Sequence, residues 1–575
     1  MQKFINSLIE YIELEFNIKP LSSFQKKRKI YTHFCKSQKI IFYFFFFYLM
    51  LLNCISLIFF LKKFSNLKNK SKKKLFLFLK KFSLLKVEKI EDLIHALLIL
   101  NNNFYEKINK IKLNQFNFSD QTYIENIVIG SGPSGTMTAL QLKKSGYDTL
   151  VVEKGSYIET PKQKHCSEEL MQKWSNGGLN GALGSSDFQF ASAKCVGGGS
   201  EINSGLYHEP DQDILKKVHG DKYNSQNTFS YLDEIVSYPD ISKIEYLEKL
   251  AEFYNKSANK LGWKISKLKR FYNSKINKKN SMTETYLNEF LSLEGKILTE
   301  CEVNKIKVIN DKKILITIKN KKKVIKLFCK NLYVCCGAPY TSFLLKQNKL
   351  LPKKTNHNFH FHPMYKIVGK FPEKINHNRS IDIINEQITE FMPKYIFGNA
   401  ASGKQFLLIS TFGSKEAYDD VNKNYEFMSI FHSTFSLGKS SFLKVPLIDE
   451  PIIKYKLSKD DYKIIIEGIK NLVLFTFNAG AEYIYLTGKK IIKINKNNLH
   501  NLDTLLSIDN LSLSSVHLLG GLDVNDSNIF DKNKIGKLKN HNIYVNDSSL
   551  ITGNLLKNPQ GTIMEIARRN IQINT

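Results

Sequence analysis

Arginine is nearly absent: Arg28, Arg270, Arg379, Arg568 and Arg569 are its whole complement in a pool of 84 Lys+Arg. Acidic residues are also scarce, and 53 Asp+Glu leave a formal charge of +31. An excess of that size raises nucleic acid or an anionic membrane as a partner. Phosphate and base recognition favours the bidentate guanidinium fork, however, and lysine here travels with abundant Asn, Ile and Phe. Nucleic-acid binding is therefore set aside. The eight cysteines form no CxxC pair and no regular spacing, which argues against a disulfide framework or a cysteine zinc site and favours a reducing compartment. Vicinal Cys335 and Cys336, inside an apolar stretch, read as small buried residues before they read as a redox pair. With 42% hydrophobic and 24% charged residues, the chain is neither largely disordered nor polytopic in a membrane. Its 575 residues suffice for two or three domains.

One long apolar run is present. Ile40 to Leu61 reads IIFYFFFFYLMLLNCISLIFFL without a charge, and 22 helical residues cover the hydrocarbon core of a bilayer. No small-residue cleavage site follows it, so the run predicts a retained transmembrane helix, about 40–61, binding membrane lipid. Residues 1–86 carry 18 Lys+Arg against Glu10, Glu13 and Glu15, with the downstream flank slightly richer in lysine. The positive-inside rule then sets the body of a single-pass protein on the cytoplasmic side. The stretch Lys72 to Lys86 reads either as a helix lying on an anionic leaflet or as a plain linker.

After Asp120 the composition changes. Ile124 to Gly130 is a short apolar run ending on glycine, followed by Gly130-Ser131-Gly132-Pro133-Ser134-Gly135, a helical stretch to Lys144, Gly146, and a second apolar run, Thr149 to Glu153. Strand, glycine turn, helix, strand and acidic end stand in the order of a dinucleotide-binding unit. Gly130 makes the tight turn, Gly132 admits a pyrophosphate to the backbone, Ser134 opens the helix whose N-terminus binds the anion, and Gly135 lets that helix pack on the strand. Glu153, 18 residues after Gly135, is placed to accept from ribose hydroxyls. The pattern alone does not choose between NAD and FAD.

Other segments do. Cys195 to Tyr207 reads CVGGGSEINSGLY; Ser514 to Gly521 reads SSVHLLGG; Asn542 to Asn570 reads NIYVNDSSLITGNLLKNPQGTIMEIARRN. With GSGPSG, these blocks resemble the glucose-methanol-choline (GMC) flavin oxidoreductases from about residue 122 onward. NHNFHFHP at Asn356 to Pro363 and the stretch Tyr455 to Tyr485 resemble the long-chain alcohol oxidase and cholesterol oxidase branch. In the latter, Ser458 and Asp461 form a capping-box pattern, and Tyr462, Ile465, Ile466, Ile469, Leu472 and Val473 follow helical spacing. Leu518 departs from the family, which often has Pro there.

The resemblance implies FAD as cofactor and oxidation of an alcohol CH–OH group to an aldehyde or ketone. It implies His517 as the base taking the hydroxyl proton, Asn558 as the holder of the substrate oxygen, and hydride passing to flavin N5. Imidazole is well matched to that proton transfer near neutral pH. Gly198 and Gly199, with Asn203, offer bare backbone and a polar contact to the flavin. Val303 matches a position whose backbone contacts adenine, and Asp547 one beside the ribityl and pyrophosphate region. Asn558-Pro559 opens a helix through Arg569, with Pro at the first position and Asn as cap, aimed at the flavin N1/O2 locus. His357, His360 and His362 space like metal ligands, but the resemblance places them in a substrate-domain segment without metal. Tyr207-His208-Glu209 is left unassigned.

The expected fold is α/β: a discontinuous Rossmann-like FAD-binding domain plus an α+β substrate domain with an antiparallel sheet. The anchor and basic linker would occupy residues 1–120, the FAD domain 121–215 and 286–345, the intervening insert 216–285, the substrate domain 346–510, and the closing segment 511–575. The substrate is an alcohol, of apolar or lipid-like character given the anchor, with oxygen, a quinone or a cytochrome as acceptor. A reductase or desaturase-like enzyme on a lipid double bond is the alternative, as is a non-catalytic FAD-containing membrane protein.

Overall fold

The structure is a computed structural model that describes residues 2–15, 30, 32, 35–60, 63–80, 94–99, 108–111, 113 and 120–575, the last span without 160–166, 185–186, 225–228, 242–244, 321–322, 377–382, 444–447 and 554. It is built on two large sheets. In the first, the apolar run after Asp120 forms the strand Tyr123–Ile129, whose Ile127 and Val128 are fully buried. A strand covered on both faces needs such an unbroken apolar run. It lies parallel between Thr149–Val152 and Val324–Val334. Lys296–Leu298 extends the sheet beyond Thr149–Val152, and Cys301–Asn310 and Lys313–Asn320 add an antiparallel ribbon on the other side. Ile543–Val545 returns from far along the chain to lie parallel to the end of Val324–Val334, with Leu332 opposite Ile543.

The crossover from the first strand is the helix Pro133–Lys144, with Pro at its start, where the missing N–H costs nothing. The last helix, Gln560–Asn574, packs against it. Cys335 and Cys336 follow the strand Val324–Val334; they are free thiols, and burial raises both.

The second, mostly antiparallel sheet carries the other half of the core. Its central strands are Met364–Lys370, Met428–Phe435 and Tyr395–Ala400, in that order, so that Lys366, His432 and Gly398 form one cross-strand row. Behind it lies the helix Lys459–Asn478, whose capping box between Ser458 and Asp461 is formed as the sequence predicts. Ile465, Ile469, Leu472 and Val473 are fully buried on its inner face. Gly468 is where a side chain has no room: a Cβ there would stand 2.7 Å from the Phe435 ring.

The N-terminal apolar run corrects the expectation drawn from it. It is a 22-residue helix, Lys39–Phe60, but Leu49 and Leu52 are buried in a cluster with Leu407, Val421, Ile430 and Tyr485 of the body. Just before it, Gln38 accepts from Gly181 N at 3.0 Å and its backbone N–H donates to Leu179 O at 3.1 Å. Lys39 N–H donates to the Glu450 carboxylate. Among the described residues, no helix is long and apolar enough to cross a membrane. Apolar length measures the need for burial, and here part of that need is met by protein. Tyr43, Phe46, Phe47 and Met50, on the opposite side, are exposed. Of Lys72 to Lys86, only the helix Asn69–Lys80 is described; the rest lies outside the described residues.

Candidate active site

A cavity of about 600 Å³ opens between the two sheets. One end is the glycine turn. Gly130 has φ +101°, and a Cβ there would meet the Cys335 carbonyl at 2.5 Å, so only glycine fits. Gly135 sits in the first turn of Pro133–Lys144, where a Cβ would strike the Gly130 carbonyl at 2.0 Å; this is the close helix-to-strand approach the motif predicts. Gly132 and Ser134 line the cavity. A Cβ on Gly132 would meet only Gly198 Cα at 3.8 Å, and one on Gly199 nothing within 4 Å. The backbone is thus bare toward the cavity at a helix N-terminus, the cradle an anionic pyrophosphate requires.

Glu153 ends the next strand and lines the same end. Its carboxylate accepts from Ser131 N at 2.9 Å, Ser131 Oγ at 2.8 Å and Gly155 N at 2.6 Å. Burial drives its pKa up against the pull of those donors. The group therefore pins the start of the glycine turn, and one of a carboxylate's about four lone-pair sites is left, on Oε1, to accept a hydroxyl. Val303, on Cys301–Asn310, and Gly198 also line the cavity. Asn203 does too, but its side chain is committed: Nδ2 donates to Gln560 Oε1 at 2.7 Å and Oδ1 accepts from Gly205 N at 3.1 Å.

Asp547 is placed differently from expectation. It is buried and absent from the cavity wall, where Ser548 stands instead. Its Oδ2 accepts from Gly337 N at 2.7 Å and from Thr341 Oγ1, and its Oδ1 from Ser549 N at 2.8 Å. It clamps the turn after Val324–Val334, and Gly337 and Ala338 of that turn reach the cavity. The closing helix is also shifted: Pro559 is the N-cap residue and the helix runs Gln560–Asn574, past Arg569, with no side-chain cap from Asn558. Pro559 and Asn558 both face the cavity.

At the other end stand imidazoles. His517 and Asn558 line one cavity. His517 Nδ1 is 3.0 Å from His362 Nδ1, the rings perpendicular, so Nε2 is the nitrogen His517 has left for the cavity. Burial holds its pKa down at about 4; at neutral pH it is an uncharged proton acceptor. His362 is buried, its pKa well below the ordinary value through burial first and then the electrostatic coupling to His517, with the Leu555 carbonyl beside it. Asn558 is fixed by two bonds: its backbone N–H donates to His208 Nδ1 at 3.2 Å, and Nδ2 donates to Leu206 O at 3.2 Å. His208 is held at about 4, first by burial and then by the Lys557 charge.

The family model of the GMC oxidoreductases matches residues 167–364. The chain carries a GMC oxidoreductase domain. FAD is the cofactor of this enzyme class, and the bare glycine backbone, the helix N-terminus and buried Glu153 suit it. An uncharacterized GMC-type oxidoreductase of Sinorhizobium fredii (strain NBRC 101917 / NGR234) is 24% identical over 395 residues, 63% of this chain and 76% of that one. A long-chain-alcohol oxidase of Arabidopsis thaliana is 24% identical over 285 residues, 44% of this chain and 38% of that protein's length. Among solved structures, pyridoxine 4-oxidase from Mesorbium loti superposes with TM-score 0.57 at 11% identity, covering 78% of this chain and 98% of the other. A formate oxidase of Aspergillus oryzae RIB40 gives 0.54 at 10%, covering 79% and 98%. These structures share the fold.

The sequence reading missed His362 and His208, within the matched residues, as supports of His517 and Asn558. His362 was weighed as a metal ligand, and among the described residues no cluster of His, Cys, Asp and Glu could hold a metal. Gln560, partner of Asn203, was also missed; its place directly after the NP pair was the available signal.

Proposed function

We propose that the protein oxidises the CH–OH group of an alcohol to an aldehyde or ketone. FAD supplies the acceptor for the hydride. His517 takes the hydroxyl proton at Nε2, while His362 holds its Nδ1 and so fixes the ring and the tautomer, as an orienting partner does for any catalytic imidazole. Asn558 holds the substrate oxygen with the N–H of its amide that Leu206 leaves unused. Gly130, Gly132, Ser134, Gly135, Glu153, Gly198, Gly199, Asn203, Val303 and Pro559 hold the cofactor, and Asp547 acts through the turn it clamps. The observation that carries the reading is that His517, buried with its pKa held down, and Asn558 line the same cavity as the glycine turn.

An alcohol with an apolar body is the substrate this reading favours. Ile383, Ile384, Ile396 and Phe406 contribute to the walls, and the Arabidopsis relative is a long-chain-alcohol oxidase. We also propose that the protein rests on an anionic lipid surface. The exposed side of Lys39–Phe60, with Tyr43, Phe46, Phe47 and Met50, is followed by exposed Lys63, Lys68, Lys70 and Lys74, an aromatic face beside a basic one. Flotation with vesicles of anionic lipid, lost on changing Phe46 and Phe47 to Glu, tests this.

The chemistry is tested by the anaerobic flavin spectrum of the purified protein during titration with alcohols from short polyols to long-chain and sterol alcohols. Bleaching by one class, abolished in His517→Ala, supports the reading; a flavin that no alcohol bleaches refutes it. Reoxidation by oxygen, a quinone or a cytochrome then identifies the acceptor.

A further inference from the structure

The wall of the cavity opposite the glycine turn is the face of the second sheet. Along Met364–Lys370 the side chains alternate as strand geometry demands: Tyr365 and Ile367 are buried in the core, and Met364 and Lys366 line the cavity. Two cross-strand rows pave that wall. One is Met364, Thr434 and Ile396; the next is Lys366, His432 and Gly398. The first row adjoins the His362 and His517 pair. The second lies one step deeper.

Lys366 is the unusual member. The other ammonium at the cavity wall near a carboxylate, Lys154, pairs with Glu302 at 2.6 Å. Lys366 has no carboxylate within ion-pair distance and no hydrogen-bond acceptor for Nζ among the described residues. Its titratable neighbour is His432, a group held at about 3 by burial first and by Lys366 second. Burial alone moves Lys366, downward, with no acid near enough to oppose it. The cavity-lining carboxylate Glu386 answers instead to Lys267. An ammonium withdrawn from water without a counter-charge is costly, and its remaining accessible side faces the cavity.

We infer that the alcohol substrate carries a carboxylate that binds Lys366 Nζ while its hydroxyl lies between His517 and Asn558. The inference rests on the alcohol-oxidation reading for the position of the hydroxyl. A single ammonium on this sheet face, with no arginine fork, suits one negative charge better than a phosphate dianion. Four residues of extended chain separate His362 from Lys366, which puts the carboxylate on the order of 10 Å from the hydroxyl. Met364 and Ile396 lie between and offer an apolar path. The substrate class is an apolar chain with a hydroxyl at one end and a carboxylate at the other.

The test uses the FAD-loaded full-length protein and begins with binding. Titration with octanoate against the neutral isostere octanamide, read by calorimetry and by perturbation of the flavin absorbance, reports the pocket without turnover. Octanoate is expected to bind on the order of 10- to 100-fold tighter, as a charge-assisted contact to a desolvated ammonium should. The difference should vanish in Lys366→Met, which removes the charge and keeps an unbranched side chain one atom shorter, and persist in Lys366→Arg. The ratio of kcat/KM for omega-hydroxyoctanoate over octanol should follow the same pattern. Equal binding of octanoate and octanamide, or a preference that survives in Lys366→Met, overturns the inference. Lys366-dependent octanoate binding in a protein whose flavin no alcohol bleaches would keep the anion pocket and remove the alcohol reading. Bleaching by octanol and omega-hydroxyoctanoate alike would do the reverse.

Discussion

The protonation of His517 makes the sharpest demand on experiment. An ordinary imidazole titrates at 6.5, whereas burial holds His517 at about 4. The neighbours follow it: His208 lies at about 4, His432 at about 3, and His362 well below the ordinary value. His517, His208 and His432 each take up no more than about a tenth of a proton between pH 7.5 and 5. At pH 5.5, an imidazole titrating at about 4 is roughly 97% neutral, while one titrating at 6.5 is about 9% neutral. The rate of flavin reduction by a saturating alcohol, followed by stopped flow at constant ionic strength, should therefore change by only a few per cent between pH 7.5 and pH 5.5. An unperturbed base would lose roughly tenfold over the same interval. A rate that falls with an apparent pKa near 6.5 would refute the account of a desolvated base. The same shift has a sign for stability. Because the folded form resists protonation, the His517 contribution is complete above pH 6.5, declines by about 1.4 kcal/mol per pH unit down to the folded value, and is flat below it.

Other perturbations test separate parts of the site. Gly199→Val introduces a side chain where a Cβ meets only open cavity; the protein should fold with an unchanged circular dichroism spectrum and fail to retain flavin. In Glu153→Gln the charge-assisted bonds from Ser131 and Gly155 weaken, and FAD affinity measured by fluorescence of released flavin should fall about tenfold or more. Leu472→Ala empties a fully buried position under the second sheet and should cost about 2–5 kcal/mol in urea unfolding, without altering the flavin spectrum of the folded fraction.

The glycine turn was legible in the sequence because sterics leave it one solution: Gly130 and Gly135 each face a backbone oxygen that excludes a side chain. The capping box of Lys459–Asn478 was legible for the same local reason, since Ser458 and Asp461 satisfy each other across one turn. The membrane span was misread because apolar length says that a helix must be covered and not by what, and Leu49 and Leu52 share a buried cluster with residues more than 350 positions away as well as with N-terminal neighbours. The His362 to His517 contact is likewise a product of packing between segments 155 residues apart, for which local pattern carries no signal. Asp547 shows an intermediate case. Its neighbourhood was readable, but whether a carboxylate points at a ligand or at a backbone turn depends on a side-chain direction that periodicity does not encode.

The return of Ile543–Val545 to the first sheet sets a clock on maturation. The glycine turn is among the first parts of the body to be made, yet the strand paired with Leu332, the Asp547 clamp on Gly337 and the Asn558-Pro559 corner come from the last stretch. At synthesis rates of about 5–20 residues per second, roughly 20 to 90 s separate the two. For that interval the nascent chain presents half a cradle and an unpaired strand edge, and any factor that shields the waiting edge would act before the cradle is whole.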